Sequence, residues 1–434
     1  MPHGAEPSSL SLETLYRDQS GRVLATLIRL LGDFDLAEEA MQEAFTTALQ
    51  HWPQHGFPER PTAWLITTGR RKVLDHLRRR TWLSSRLGTL EHLEKLERLS
   101  VTDETDEDMH DDVLRLIFMC CHPALAIETQ VALTLRAVCG LSTEEIAHAF
   151  LVPVATLAQR LVRAKQKIRE AAIPYRIPPT EQLPDRLKAV MLVIYLVFNE
   201  GYAASSGEAR VRRELCREAI RLGRLLASLM PREPEVLALL ALMLLHDSRR
   251  DARVDPQGDI VLLDDQDRRR WDHRQIQEGL ALVESALRSR VPPGSYALQA
   301  AIAAVHAGAA HASDTDWREI ADLYERLMRV TDSPVVELNH AVAVGMAEGP
   351  ARGLQLLDAL EGRGELDHYH LLPATRADLL RRLERWNDAV EAYRQALALT
   401  TNEAEQRFLR RQLHHAQARA ESEARGEGDR DACH

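Results

Sequence analysis

The residues best suited to recognising another molecule share one predicted helix face near the middle of this 434-residue sequence. In the segment VATLAQRLVRAKQKIRE, which begins at Val154, helical spacing brings hydroxyl, amide and cationic donors together. The face consists of Thr156, Gln159, Arg163 and Lys167, with Arg160 at its edge. Such side chains can form paired hydrogen bonds with base edges in the major groove of DNA, and lysine suits phosphates. The segment therefore favours a reader of duplex DNA, although a helical hairpin with a basic outer face has the same pattern.

The residues before this helix predict the tight helix pair that such a reader needs. Ser142 and Glu145 form a capping box that opens a short first helix. The turn falls at 151–153, because Pro153 can begin a helix but cannot continue one. The second helix has an apolar face that can pack inward, formed by Leu157, Leu161, Ala164 and Ile168. The spacing predicts a helix-turn-helix.

A second concentration of positive charge ends a helix that is predicted from Pro61 onward. Only Asp75 opposes its six cations, which are Arg70, Arg71, Lys72, Arg78, Arg79 and Arg80. The inward side of the same helix is predicted from Trp64, Leu65, Thr68, Val73 and Leu77. This charge density would attract a phosphate backbone, and it would equally suit a solvated helix end that interacts favourably with the helix dipole.

An acidic helix precedes the basic one. Asp35 and Glu38 have the spacing of a capping box, and the helix that they open has an apolar stripe of Ala37, Met41, Ala44, Ala48 and Trp52. The polar residues Glu38, Glu39, Gln42 and Glu43 lie largely off that stripe. Taken alone, they are best explained as a solvated polar face.

Residue patterns for catalysis are missing from the sequence. It has no phosphate-binding glycine loop on a strand, no HExxH and no G-x-S-x-G elbow, so we expect neither enzyme activity nor a cofactor. Cys120, Cys121 and His122 could suggest a metal pair, but adjacent cysteines chelate one ion poorly and the segment is apolar. We interpret them as core and predict no metal. A polar cluster that would suit a small molecule, a metal or simply helix caps comprises Asn199, Glu200, Asp264, Asp265, Asp267 and Trp271.

The composition is that of a helical protein. Hydrophobic residues make up 45% and charged residues 28%, and the dominance of Ala, Leu and Arg favours helix almost everywhere, so the predicted fold class is all-α. The best strand candidate, Gly258–Asp265, could equally be a loop. A net charge of −10 argues against a protein coated in nucleic acid but allows local basic surfaces. The five cysteines, the missing export signal and the absence of a bilayer-length apolar run predict a reduced cytoplasmic protein without membrane contact.

The second half of the chain has the periodicity of stacked helix pairs. Prolines between 174 and 184 mark a linker, and the pattern beyond it suggests repeats of the tetratricopeptide (TPR) type. The best repeat has Ala377, Ala389, Tyr393 and Ala396 at its small, small, aromatic and small positions. Such pairs bury a shared core and present a surface for a protein or peptide ligand.

These segments together resemble the extracytoplasmic-function (ECF) family of sigma factors. The family pattern D-x-A-E-D-x-x-Q-E-x-F is matched by Asp35, Ala37, Glu38, Glu39, Gln42, Glu43 and Phe45. The pattern P-x-A-W-L…R…D-H-L-R-R is matched by Pro61, Ala63, Trp64, Leu65, Arg70, Asp75, His76, Leu77, Arg78 and Arg79. Region 4 of the family is matched by Glu145, Ile146, Ala147, Thr156, Arg160, Leu161, Arg163 and Ala164. Val154, Ala158 and Arg71 differ from residues that are frequent in the family, and they bear on the DNA sequence preferred.

The resemblance implies a protein that lends promoter recognition to core RNA polymerase, with the β′ clamp, the β subunit and promoter DNA as partners. It assigns binding of core polymerase to Asp35, Glu38, Glu39, Gln42 and Glu43. It assigns recognition of the −10 element to Trp64, Arg70, Arg71, Lys72, Asp75, Arg78 and Arg79, and of the −35 element to Thr156, Gln159, Arg160, Arg163 and Lys167. The implied boundaries are 10–82 for region 2, 83–112 for an acidic linker, 113–172 for region 4, 173–186 for a Pro-rich linker, 187–415 for a TPR-like regulatory domain and 416–434 for a disordered tail.

The long C-terminal extension resembles that of an ECF subgroup with a TPR-like domain, through the segments 195–207 and 258–272. This resemblance implies that the extension regulates the sigma factor in place of a separate membrane-bound inhibitor. One alternative is a helix-turn-helix repressor or activator with a TPR-type sensor, which would need neither the region 2 helix nor the acidic linker. A scaffold protein is another. Copurification separates them, because a sigma factor binds core polymerase whereas a repressor binds duplex DNA unaided.

Overall fold

A computed structural model describes residues 9–84, 106–150, 152–203, 209–255, 259–400 and 402–431 of the chain. These residues are helical almost throughout, so the all-α prediction is confirmed. Within them the only β feature is an isolated antiparallel bridge between Val254 and Ile260, and the candidate strand instead ends in a 3-10 turn at Leu263–Asp265. Contacts divide the chain into two compact units, one of residues 1–202 and 207–229 and the other of residues 203–206 and 230–434.

The first unit contains two helical modules and two further helices. Its described helices are α1 (Ser9–Leu31), α2 (Phe34–His55), α3 (Pro61–Ser84), α4 (Asp106–Cys120), α5 (Ile127–Ala137), α6 (Thr143–Ala149), α7 (Val154–Glu170), α8 (Leu183–Ala203) and α9 (Ala209–Leu229). Helices α1 to α3 pack on one another, and α5 to α7 do the same. The acidic and basic helices of the sequence are therefore α2 and α3, and the predicted DNA reader is α7.

The buried stripe of α2 is the one predicted from the sequence, but the cap of this helix is different. Ala37, Met41, Ala44, Ala48 and Trp52 are all buried, as expected. The N-cap is Asp33, whose carboxylate accepts a hydrogen bond from the backbone N–H of Leu36 at 2.9 Å. The predicted cap, Asp35, lies inside the first turn, because the helix already begins at the buried Phe34. Asp35 is thereby left available for other contacts.

Helix α4 begins inside the interval predicted as an acidic linker. It starts at Asp106, and Met109, Asp112 and Val113 are buried on its inner side. Because these residues pack inward, the helix extends back into the predicted linker. The last seven residues of that linker, 106–112, are therefore helical and do not form a tether. The earlier part, 85–105, lies outside the described residues. At the other end of α4, Cys120 and Cys121 are fully buried, which confirms their interpretation as core.

The second unit is a linear array of helices in which each packs mainly on its neighbours in sequence. Its described α-helices are α10 (Pro234–Asp247), α11 (His273–Leu287), α12 (Ser295–Gly308), α13 (Trp317–Val330), α14 (Pro334–Glu348), α15 (Pro350–Glu361), α16 (Leu371–Arg382), α17 (Trp386–Leu399) and α18 (Glu403–Asp431). The predicted repeat positions Ala377, Ala389, Tyr393 and Ala396 are all buried between α16, α17 and α18. This neighbour-to-neighbour stacking is the arrangement expected of repeat proteins.

Two predicted boundaries of the C-terminal half differ from the structure. Helix α9 and nearly all of α8 belong to the first unit, so the second unit begins near 230 rather than at 187. The tail predicted to be disordered after 415 instead continues α18 to Asp431. Leu409 and Ala416 of α18 are buried in the core that α16 and α17 also form. This packing holds α18 in place at the position where the sequence predicts the disordered tail to begin.

Candidate nucleic-acid interface

Helix α7 presents the predicted reading face to solvent. Leu157, Leu161, Ala164 and Ile168 are buried against the rest of the module, and each is no more than 7% exposed. The polar side chains on the adjoining face are exposed at Thr156, Gln159, Arg163 and Lys167 and half-buried at Arg160. Because the apolar face fixes the rotation of the helix, hydroxyl, amide and cationic donors are held outward along about three turns.

The short helix before α7 is capped as the sequence predicts. The Ser142 hydroxyl accepts a hydrogen bond from the backbone N–H of Glu145 at 3.1 Å, and the Ser142 N–H donates to the Glu145 carboxylate at 2.7 Å. In the turn, the Val152 N–H donates to the carbonyl of Ala147 at 3.0 Å. These bonds close a compact pair of helices, and the arrangement of α6 and α7 is a helix-turn-helix.

Helix α3 carries the second basic surface, and the structure describes only part of it. Arg71 and Lys72 are exposed, whereas Arg70 and Asp75 are half-buried. Trp64 is also half-buried, with its ring edge-to-face on Trp52 at 5.2 Å between centroids, so it belongs partly to the core. The side chains of Arg78 and Arg79 lie outside the described residues.

One residue that positions this surface was missed in the sequence. A Cβ atom at Gly69 would lie 2.6 Å from the carbonyl oxygen of Ala40, so only glycine lets α3 cross α2 this closely. The crossing places Arg70, Arg71 and Lys72 immediately beyond the contact. A glycine within a predicted helix interior was the available signal.

The structure divides the acidic face of α2 into two parts. Glu39, Gln42 and Glu43 are exposed, but Asp35 and Glu38 form ion pairs with the second module. Lys165 of α7 lies 3.1 Å from the Asp35 carboxylate and 2.9 Å from that of Glu38. Arg169 also contacts Asp35, and Arg136 of α5 lies 3.5 Å from Glu38. The acidic face of α2 and helix α7, which the sequence predicts as separate sites, are thus joined by ion pairs. The α7 residues that form them lie outside its predicted reading face.

Known families match both modules in the order of the chain. The family described as "Sigma-70 region 2" matches residues 15–83, and "Sigma-70, region 4" matches residues 115–168. The "Probable ECF RNA polymerase sigma factor SigI" of Mycobacterium tuberculosis is 27% identical over 154 residues, which cover 35% of this chain and 52% of that protein. The chain thus has both sigma-70 regions, in the order of an ECF-type sigma factor.

The rest of the sigma factor also has relatives. An uncharacterised protein of Rhizobium meliloti, R00370, is 44% identical over 406 residues, which cover 92% of this chain and 94% of that protein, so the two belong to one family. A family of unknown function (DUF6596) matches residues 186–287, a range that includes helices of both units. Among the described residues of the sigma factor, no helix combines the length and apolarity needed to cross a membrane.

Regions 2 and 4 of the sigma factor meet at a buried joint between α1 and α4. Asp112 is fully buried, and its carboxylate accepts hydrogen bonds from Arg29 at 2.8 Å and from Arg115 at 2.7 Å. Burial raises the pKa of Asp112, against the opposing effect of the two arginines. The hydroxyl of Tyr175, which follows region 4, lies 2.6 Å from the carbonyl oxygen of Ala25 and 2.9 Å from that of Asp112. The joint therefore ties α1, α4 and the segment after α7 together.

A second close contact between the modules, between α1 and the end of α5, predicts a large effect of one small substitution. A Cβ atom at Gly21 would lie 2.5 Å from the carbonyl oxygen of Val138, which leaves no room for a methyl group. We expect Gly21→Ala to lower the free energy of unfolding of the first unit by about 1–3 kcal/mol, despite the better helix propensity of alanine. Urea denaturation of the full chain measures this. Gly308→Ala is the control, because no atom lies within 4 Å of its added Cβ; equal stability of both variants would contradict the close approach.

The polar cluster considered as a ligand site is largely engaged within the protein. Asp267 forms an ion pair with Arg269 at 2.9 Å, Asp264 lies 3.7 Å from Arg382, and Trp271 is buried. Asn199 and Glu200 belong to the other unit. These contacts favour the interpretation as structural loop residues over that of a ligand site.

Proposed function

We propose that this sigma factor directs core RNA polymerase to specific promoters, using its two modules for separate contacts and its C-terminal extension for regulation. In this proposal α2 binds the β′ clamp, α3 recognises the −10 element and α7 recognises the −35 element. The observation that carries it is the outward reading face of α7, displayed in the same chain as a region 2 whose residues Glu39, Gln42 and Glu43 are exposed. The proposed site of action is the cytoplasm.

Recognition of the −35 element is assigned to the exposed donors of α7. Gln159 and Arg163 can each form two hydrogen bonds with a base edge, while Lys167 at the end of the row suits a phosphate. Thr156 lies at the first turn, where reading helices of this motif enter the groove. The assignment predicts that base preference depends on Gln159 and Arg163, and that Lys167 contributes affinity at every sequence.

Arg163→Glu is expected to weaken binding of the polymerase holoenzyme to its promoter by at least tenfold. A lost bidentate base contact costs about 1–3 kcal/mol, and the new carboxylate repels phosphates. The promoter would be one selected by the wild-type protein from a random library, and footprinting with run-off transcription would measure occupancy. Arg217→Glu on α9 is the matched control, since Arg217 is an exposed arginine outside α7. Equal occupancy for both variants would refute the assignment of α7.

The helix-turn-helix alone also suits a repressor or activator, so the two functions require a direct comparison. A repressor should retain specific affinity for promoter duplex without polymerase, whereas a sigma factor should gain it only in the presence of core enzyme. Mobility shifts of the selected promoter with and without core enzyme separate these outcomes. The region 2 match over residues 15–83 favours the sigma factor.

Regulation by the extension is supported by its first two helices, which contact region 4. Arg186 of α8 donates a hydrogen bond to the carbonyl of Phe118 in α4, and its guanidinium lies 6.0 Å from the centroid of that ring. Arg221 of α9 donates to the carbonyl of Val138 at 3.4 Å. The part of the extension that belongs to the first unit is thus attached to the module proposed to read DNA.

Two truncations test this regulatory role. We expect a chain that ends after Leu229 to keep the first unit folded but to differ from the full chain in run-off transcription. A chain that ends after Tyr175 lacks α8 and α9 and should lose stability, because the buried side chains of α4 and α6 would become exposed. Identical transcription from the full chain and the Leu229 truncation, under all conditions, would contradict regulation by the second unit.

A further inference from the structure

The connection between α10 and α11 is far longer than the fold requires. These two helices pack directly against each other, yet residues 248–272 intervene. Connections between neighbouring helices commonly need about 2–8 residues. We refer to the described residues 250–255 and 259–271 as the strap. It contains 3-10 turns at Arg250–Ala252, Leu263–Asp265 and Arg268–Arg270 and contacts helices much later in the chain. The length of this connection therefore indicates a role beyond joining the two helices.

The end of the strap nearest α11 is held by buried contacts. Trp271 is only 4% exposed, and the guanidinium of Arg268 lies 4.6 Å from the centroid of its ring. Arg268 also donates hydrogen bonds to the carbonyls of His306, at 2.8 Å, and Ala309. This end is part of the packed structure of the second unit, and we do not expect it to move.

The tip of the strap, residues 259–265, is held by hydrogen bonds with residues 253–255 of the strap itself and by carboxylates on arginines of α16 and α18. The two oxygens of Asp259 accept hydrogen bonds from Arg407 and Arg411 of α18, each at 2.7 Å. Asp264 lies 3.7 Å from Arg382 at the end of α16. The hydrogen bond with Arg407 lowers the pKa of Asp259, so its carboxyl is charged at neutral pH. The side chains of Arg407 and Arg411 are 46% and 50% exposed, so solvent and salt compete with these contacts.

The three arginines form a surface with the chemistry of a carboxylate receptor. Each planar guanidinium offers a fork of N–H donors that matches a carboxylate, and Arg407 and Arg411 lie one helical turn apart. The segment that they hold has an acid, an apolar run and two further acids in the sequence DIVLLDD. The carboxylates of the strap already occupy this surface within the same molecule. They therefore indicate that the surface accepts an acidic segment.

We propose that Arg382, Arg407 and Arg411 are the docking site for an extended acidic segment of a partner protein, and that the tip of the strap occupies this site in the free sigma factor. The partner would displace the tip while the buried end stays in place. Binding would then change the second unit without unfolding it. This proposal adds a partner to the sigma factor and uses no residue of the polymerase or DNA surfaces, so it can fail independently of the proposed function.

Binding of a defined peptide to the full-length protein tests the proposal. The probe is a fluorescent synthetic peptide that copies residues 259–267, and fluorescence anisotropy measures its affinity. We expect Asp259→Asn to bind it at least tenfold more tightly than the wild type, because the internal competitor is weakened. Adding Arg407→Ala and Arg411→Ala to Asp259→Asn should return the affinity to the wild-type level or below. Arg394→Ala on α17, which removes a comparably exposed arginine, should change nothing.

Two controls separate docking from simple charge attraction and from misfolding. A peptide with the same residues in scrambled order keeps the charge of the copied segment but should bind at least tenfold more weakly. In the wild-type protein, a saturating amount of the acidic peptide should accelerate amide hydrogen exchange at 259–265 and leave 268–271 protected. Unchanged exchange at the tip, or equal peptide affinity in wild type and Asp259→Asn, would show that the strap is a fixed structural element and would overturn the proposal.

Discussion

Replacing Glu39 and Glu43 together by lysine is expected to reduce the affinity of this sigma factor for core RNA polymerase by at least tenfold. Both carboxylates are exposed on α2, on the side that the resemblance assigns to the β′ clamp. Reversal of two charges at an interface of complementary charge replaces attraction by repulsion and affects both association and affinity. Fluorescence anisotropy of labelled sigma factor titrated with purified core enzyme, at two salt concentrations, gives the dissociation constants.

The choice of Glu39 and Glu43 follows from the structure rather than from the sequence pattern. Asp35 and Glu38 belong to the same pattern, but their ion pairs with Lys165 and Arg169 mean that substitution would also disturb the contact between regions 2 and 4. A matched control is the double variant Glu181→Lys and Asp185→Lys, which reverses two exposed charges outside α2. If both double variants bound core enzyme as tightly as the wild type, α2 would not be the polymerase-binding surface.

The second unit is expected to lose stability when the pH falls from 7 to 5. Burial is the main reason why the pKa of His246 is lowered to about 3 and that of His306 to about 4. The surrounding cations Arg249, Arg253 and Arg268 act in the same direction. Arg249 lies 3.0 Å from Nδ1 of His246 and can donate to it, which fits a neutral imidazole. Both rings therefore stay uncharged in the folded protein at pH 5.

The sign and size of this effect follow from proton linkage. In the unfolded chain both histidines titrate near 6.5, so between that pH and about 4 the unfolded state binds more protons than the folded state. Stability is complete above pH 6.5 and declines below it. Both side chains keep a small exposed fraction, and we expect a loss on the order of 1–2 kcal/mol for each at pH 5.

Urea denaturation of the full chain at pH 7 and pH 5 measures the loss. His246→Gln keeps a hydrogen-bond acceptor for Arg249 and removes one titrating group, so its stability should depend less on pH. His273→Asn removes an exposed histidine and should behave as the wild type. A second unit that is equally stable at pH 7 and pH 5 would mean that the two histidines are charged or solvated in the folded protein.

Local patterns in the sequence predicted the elements of the site well. The buried stripe of α2, the capping box of Ser142 and Glu145 and the inward face of α7 all depend on neighbours within one or two helical turns, and the structure confirms each. The prediction of Asp35 as the cap of α2 is wrong, because Asp33 and Asp35 are both residues that cap helices well. The burial of Phe34, which only the fold reveals, selects Asp33. The predicted linker is too long at its end, because an acidic run is typical of a tether and hides the first two turns of α4.

The contacts that join these elements could not be predicted in the same way. Lys165 and Asp35 are 130 positions apart, and Asp259 and Arg407 are separated by 148, so no local periodicity relates them. Each ion pair depends on the packing of several helices between its partners. Charges of opposite sign at helical spacing, such as Lys165 and Arg169 against Asp35 and Glu38, were present in the sequence but matched many other candidates.

We propose that this protein gives core RNA polymerase a promoter specificity that core enzyme alone lacks. The most direct test of this proposal is in vitro transcription of a random promoter library with purified core enzyme, with and without the protein, followed by sequencing of the transcript ends. We predict initiation at sites that share two sequence elements, only when the protein is present. Transcription unchanged by the protein, with no measurable affinity for core enzyme at any salt concentration, would contradict it.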